Sequence, residues 1–128
     1  MRLLLDTHIL LWAAGQPERL SGSAQTLLND PLHQLVFSAV SLWEVAIKSQ
    51  LGRPDFQVDQ RLLRRGLLGA GYVELALTGE HSLAVAGLPP IHKDPFDRIL
   101  VAQCSVEGYT LLTADPLVAQ YPCRVIAI

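Results

Sequence analysis

Acidic residues recur in this chain at places where a strand should end or a helix should begin. Asp6 directly follows the apolar run Leu3-Leu4-Leu5, so it emerges at the carboxyl end of an expected strand. Its other reading is an N-cap for a helix starting near His8, a task Thr7 could also perform. Glu44 lies just past a second apolar run, in Ser38-Ala39-Val40-Ser41-Leu42-Trp43-Glu44, where Ser41-x-x-Glu44 also fits a capping box. Asp94-Pro95-Phe96-Asp97-Arg98 opens a helix, with Pro95 suited to its first position and Asp94 to its N-cap. Negative charge is favoured in the first turn, so spacing leaves open which of Asp94 and Asp97 does chemistry. Asp115-Pro116 repeats the pattern after the run Tyr109 to Leu112. Four carboxylates from distant parts of the chain at one edge of a sheet would repel unless a cation neutralised them. Mg²⁺ and Mn²⁺ take oxygen ligands of this kind. Metal-assisted attack of water on a phosphodiester is chemistry that such a site supports.

The acids need a scaffold that brings strand ends together. Leu3–Leu5, Leu35–Phe37, Tyr72–Leu77, Leu111–Leu112 and Val125–Ile128 read as strands, apolar without alternation, as parallel strands covered on both faces are. Helical patterns fall between them at about 8–14, 21–29, 41–50, 59–68, 79–87 and 96–106, with a short helix after Asp115. Gly15, Gly52, Gly87 and Gly108 stand where helices should stop. This alternation predicts an α/β fold with a parallel sheet of about five strands and helices on both faces. In such sheets the reactive groups gather beyond the carboxyl ends of the strands, where strand order reverses.

With 128 residues the chain is expected to form a single domain spanning residues 1–128. Hydrophobic residues make up 50% and charged ones 17%, which argues against disorder and leaves a thin charge cover suited to a buried partner surface. The net charge of −2 excludes nucleic-acid binding by bulk positive charge, so any such role must rest on a local site. Cys104 and Cys123 have no metal-ligand or disulfide-scaffold spacing, which suits the reducing cytosol. The N-terminal apolar run is broken by Asp6 and His8 before it reaches signal length, and no run is long enough to cross a membrane. The expected location is cytoplasmic.

The blocks that carry the acids resemble those of the PIN-domain nucleases, and among them the VapC-like ribonuclease toxins of type II toxin–antitoxin pairs. They are Leu3-Leu4-Leu5-Asp6-Thr7-His8, then Ser38 to Lys48, then Asp94-Pro95-Phe96-Asp97-Arg98-Ile99-Leu100-Val101-Ala102-Gln103, and finally Leu111-Leu112-Thr113-Ala114-Asp115. Order and spacing match along essentially the whole chain. The resemblance implies a single PIN domain whose acidic tetrad is Asp6, Glu44, Asp97 and Asp115, favouring Asp97 over Asp94. It makes Asp6 and Asp97 the primary metal ligands, with Asp115 and Glu44 serving a second ion or its water. Thr7 and Thr113 would orient the acids or bound water, and His8 stands where many relatives carry Asn. The implied activity is Mg²⁺- or Mn²⁺-dependent endoribonuclease chemistry leaving a 5′-phosphate and a 3′-hydroxyl. The implied partners are RNA, a cognate antitoxin whose C-terminal segment lies in the active-site groove, and a second copy in a homodimer.

Other readings are weaker. A phospho-acceptor receiver needs an Asp ending its middle strand, whereas Tyr72–Leu77 runs into Thr78-Gly79-Glu80, and Lys48 and Lys93 are the only lysines. A haloacid-dehalogenase phosphatase needs Asp-x-Asp where this chain has Asp6-Thr7-His8. A nuclease of RNA processing or DNA cleavage would use the same tetrad. An inactive binding module would have no reason to keep repelling acids. Gly66, Gly69 and Gly71 form no nucleotide fingerprint. Arg61, Arg64 and Arg65 share a helical face, read as solvated or as a phosphate or partner contact. Arg98 could meet substrate or a neighbouring acid, Trp12 and Trp43 read as core or dimer surface, and His33, His81 and His92 as surface or loop residues.

Overall fold

A computed structural model describes residues 1–128. Five strands, β1 (Arg2–Leu5), β2 (Gln34–Ser38), β3 (Val73–Leu75), β4 (Thr110–Thr113) and β5 (Val125–Ala127), form one sheet in the order β3-β2-β1-β4-β5. Every neighbouring pair is parallel, with Leu4 of β1 opposite Val36 of β2 and Leu111 of β4. The helices are α1 (Thr7–Gly15), α2 (Gly22–Asn29), α3 (Ala39–Gln50), α4 (Gln60–Gly69), α5 (Gly79–Ala84) and α6 (Pro95–Glu107). The expected α/β architecture is therefore the observed one.

The continuous apolar runs are explained by coverage on both sides. Leu3, Leu5, Phe37 and Leu112 point to one face, where they pack with Ile9 and Leu10 of α1, Ala24 of α2, Val45 of α3 and Leu63 and Leu67 of α4. Leu4, Val36 and Leu111 point to the other, against Leu100, Val101 and Cys104 of α6 and against Val118 and Tyr121. Leu3, Leu4 and Leu5 are all fully buried, and each such side chain contributes roughly 1.5–3 kcal/mol on burial. That anchors β1 at the centre of the sheet, with Asp6 at its exit.

Strand order runs outward from β1 to β3 on one side, then returns to β4 on the other, so the order reverses between β1 and β4. The crevice that opens there lies between Asp6 and the segment Thr113–Asp115.

Several boundaries differ from those expected from sequence. The strand at Tyr72–Leu77 shortens to Val73–Leu75, an edge strand paired on one side only. Residues 79–87 divide into α5 and a 3-10 turn at Val85–Gly87, and the short helix after Asp115 is a 3-10 turn at Val118–Gln120. α3 begins at Ala39 because Ser38 caps it, its hydroxyl accepting from the Val40 N–H at 3.0 Å. The Ser41-x-x-Glu44 capping box is thus overturned: Ser41 lies one turn inside the helix, and its hydroxyl meets that of Thr7 at 2.8 Å. Gly108 ends α6 with φ +71, a backbone conformation that side chains disfavour.

Candidate active site

Local rules place the acids. Asp6 leaves β1 and caps α1, with Oδ1 accepting from the Ile9 N–H at 2.9 Å. Its other oxygen accepts from the hydroxyl of Thr113, a fully buried residue at the end of β4. The same Thr113 oxygen accepts the Asp115 N–H at 3.0 Å, so one hydroxyl ties both acids to the strand ends. Asp6 is thus a helix cap that also lines the crevice. Asp94 caps α6 by accepting from Phe96 and Asp97 N–H groups at 2.8 and 3.3 Å. Asp97, one turn on, lines the same cavity as Asp94, but its carboxylate is not used in capping the helix.

Glu44 reaches in from the adjacent helix α3 and is 4% exposed. Thr7 donates to Oε1 at 2.6 Å and Lys48, one turn on, pairs with Oε2 at 2.5 Å. Asp6, Thr7, Glu44, Asp97 and Asp115 all line one cavity of about 730 Å³. All four members of the sequence tetrad are brought together, and Thr113 lies beneath them.

The electrostatics record the crowding. Burial, then the neighbouring charges of Asp94, Glu44 and Asp6, pushes the Asp97 carboxyl up to about 7. Burial also raises Asp6, opposed by the bonds from Thr113 and Ile9. For Asp115 the effect of burial is outweighed by the Leu117 N–H and by His92, and the carboxyl falls below its ordinary range. A divalent cation would remove the repulsion that raises Asp97. The residues fit such an ion: the donors are hard carboxylate oxygens that converge from four separate elements.

Sequence reasoning missed several participants. His92 is no bystander: its Nε2 lies 2.9 Å from Asp115 Oδ2 and 3.3 Å from Asp97 Oδ2. The three residues offer ligand atoms within 4.8 Å of one another. His81 on α5, expected near the surface, is fully buried, joining the N-cap Thr78 to Glu107 on α6. His33 keeps its loop position beside Asp30 at 3.5 Å. Arg98 meets no site acid; its guanidinium donates to the carbonyls of Pro89 and Val85 and to the Tyr121 hydroxyl, at 3.1–3.3 Å. Lys48 and Arg53 put positive charge on the cavity wall, beside Trp12 and Phe56, and the His8 and Trp12 rings lie 4.4 Å apart. Arg53 belongs to an irregular segment with no periodic signal. Arg64 is paired with Glu74 at 2.7 Å, while Arg61 and Arg65 are exposed. Trp43 is 59% exposed with its ring edge against Phe96, so it is surface rather than core. No helix is long and apolar enough to cross a membrane.

A sequence profile of the PIN domain family matches residues 3–122. Ribonuclease VapC22 of Mycobacterium tuberculosis (strain ATCC 25618 / H37Rv) is 27% identical over 115 residues, covering 88% of this chain and 86% of the relative. The crystal structure of VapBC2 from Rickettsia felis, bound to a DNA fragment from its promoter, superposes with a TM-score of 0.74 at 13% identity, covering 100% of this chain and 99% of the other. A toxin–antitoxin complex from Klebsiella pneumoniae superposes with a TM-score of 0.65 at 17% identity, covering 98% and 96%.

Proposed function

The chain belongs to the PIN domain family, and from that premise we propose that it is a metal-dependent endoribonuclease, the toxin of a type II toxin–antitoxin pair. The observation that carries the reading is the convergence of Asp6, Glu44, Asp97 and Asp115 on one cavity, where burial and then the neighbouring acids raise Asp97. The ribonuclease relative supports RNA as substrate, and the toxin–antitoxin complexes support an antitoxin partner.

Asp6 and Asp97 would hold the Mg²⁺ or Mn²⁺, while Asp115 and Glu44 would hold a second ion or the water around it. The ion supplies activation of water and stabilisation of charge on the phosphate oxygens. Thr113 and the Ile9 N–H fix the Asp6 carboxylate before substrate arrives, so little reorganisation is needed during reaction. Lys48 and Arg53 draw the RNA backbone toward the acids. Water adds to phosphorus as the bond to the 3′-oxygen breaks, leaving a 5′-phosphate and a 3′-hydroxyl. A homodimer is supported by the exposed apolar residues Trp43, Ile47 and Leu51, which recur every fourth residue along and just past α3. The protein acts in the cytoplasm, where its RNA is.

Antitoxin-free protein is incubated with total cellular RNA and with DNA, in Mn²⁺ or in EDTA, and new 5′ ends are mapped. Discrete RNA cuts that require the metal and vanish with Asp97→Asn are expected. Cleavage that persists in EDTA or in Asp97→Asn contradicts the assignment, and cleavage of DNA alone replaces the substrate.

A further inference from the structure

His92 sits on the segment between α5 and α6, and its imidazole is fixed from three sides. Nδ1 accepts the Asp94 N–H at 3.0 Å. An accepting Nδ1 requires that the ring proton be carried on Nε2. Nε2–H is therefore a donor, and it is aimed at Asp115 Oδ2, 2.9 Å away, with Asp97 Oδ2 at 3.3 Å. The backbone is held as well: the His92 N–H donates to the Tyr121 hydroxyl at 2.8 Å, and Arg98 donates to that hydroxyl at 3.1 Å. Tyr121 is itself buried.

Proximity alone would group His92 with Asp97 and Asp115 as three ligands of one ion. The protonation pattern argues otherwise. To bind a metal, Nε2 would have to give up its proton to Nδ1, which would then face the Asp94 N–H donor to donor. His92 also does not line the cavity that the acids share. It stands behind Asp115.

We propose that His92 is a positioning residue of the metal site, donating through Nε2–H to the Asp115 carboxylate and holding it toward the cavity without itself binding the ion. This rests on the metal-site reading above. The Asp115 carboxylate is then secured at both oxygens, Oδ1 by the Leu117 N–H at 2.9 Å and Oδ2 by His92. Loss of such an outer partner typically weakens metal binding by about 10–100-fold.

The test is calorimetric titration of Mn²⁺ into the wild type, His92→Ala and His92→Gln, each checked for folding by circular dichroism. Gln offers an amide N–H donor but none of the imidazole ring. We expect His92→Ala to weaken Mn²⁺ binding by about tenfold or more, with His92→Gln recovering most of the loss. Pulsed electron paramagnetic resonance of the Mn²⁺-loaded wild type should show no directly bonded imidazole nitrogen. Unchanged binding by folded His92→Ala, or no recovery in His92→Gln, overturns the positioning role. A directly bonded nitrogen that His92→Ala removes makes His92 a ligand and overturns it too. Failure of the wild type to bind Mn²⁺ at all defeats the underlying metal-site reading, and this proposal with it.

Discussion

Asp97→Asn should make the metal-free protein more stable at neutral pH while destroying its site. The Asp97 carboxyl is pushed up to about 7, from an ordinary value of 3.8, by burial and by Asp94, Glu44 and Asp6. Below pH ~4 the group is protonated in both folded and unfolded chains, and it costs the fold nothing. As pH rises toward 7 the unfolded chain ionises freely and the folded one resists, so stability falls through that window and stays low above it. Three units at about 1.4 kcal/mol each set a ceiling of roughly 4 kcal/mol. The side chain keeps 19% of its exposure, and solvent screening reduces this to about 2 kcal/mol. Losing a negative charge in the first turn of α6 works against the gain by up to about 1 kcal/mol. Repulsion wins, with a net gain of about 1 kcal/mol at pH 7.5, or roughly 3–5 °C in Tm for a domain of this size. The assay is thermal denaturation in EDTA from pH 4 to pH 8 for both proteins. Their difference isolates Asp97 and should grow from pH 4 to about 7 and level off above it, reversing when Mn²⁺ is added. A variant that is equally or less stable across the whole range would refute the reasoning, because the acids would then not be in conflict.

Thr113→Val keeps the shape but removes the hydroxyl shared by Asp6 and the Asp115 N–H, so urea denaturation should show a loss of about 1–3 kcal/mol. Gly108→Ala places a side chain at φ +71 in open space, so it should cost roughly 1–2 kcal/mol through backbone strain alone and leave Mn²⁺ binding intact. Arg98→Met strips a donor from the Pro89 and Val85 carbonyls and from Tyr121, and should lower stability by about 1–3 kcal/mol in the same denaturation assay. A cost of under half a kcal/mol there would show that the guanidinium does not clamp the segment that carries His92.

What could be read from sequence was what short-range chemistry controls. Apolar runs marked the five strands because a covered parallel sheet demands them, and Asp94-Pro95 marked the start of α6 because a cap and a fixed φ are local requirements. The acids were legible as candidates because each follows a strand or opens a helix and the parallel sheet gathers those ends at one edge, while the choice of Asp97 over Asp94 came from the family resemblance. Features set by partners distant in sequence were not legible. His92 bonds to Asp115, 23 residues on, from a segment with no periodicity. His81 is buried by Glu107, 26 residues on, although its neighbours in sequence are polar or exposed. Ser41 passed for a cap because its spacing to Glu44 fits one, yet Ser38 takes that task and Ser41 turns to Thr7. Tyr72–Leu77 looked longer as a strand than it is because apolar composition does not reveal that β3 lies at an edge.

The central claim is that four carboxylates form a divalent-metal site. Calorimetric titration of Mn²⁺ into purified, antitoxin-free protein tests it directly, with Asp97→Asn as the paired control and circular dichroism confirming that both are folded. The account predicts saturable binding by the wild type that Asp97→Asn loses. Equal binding by the two proteins, or none by the wild type, would contradict it.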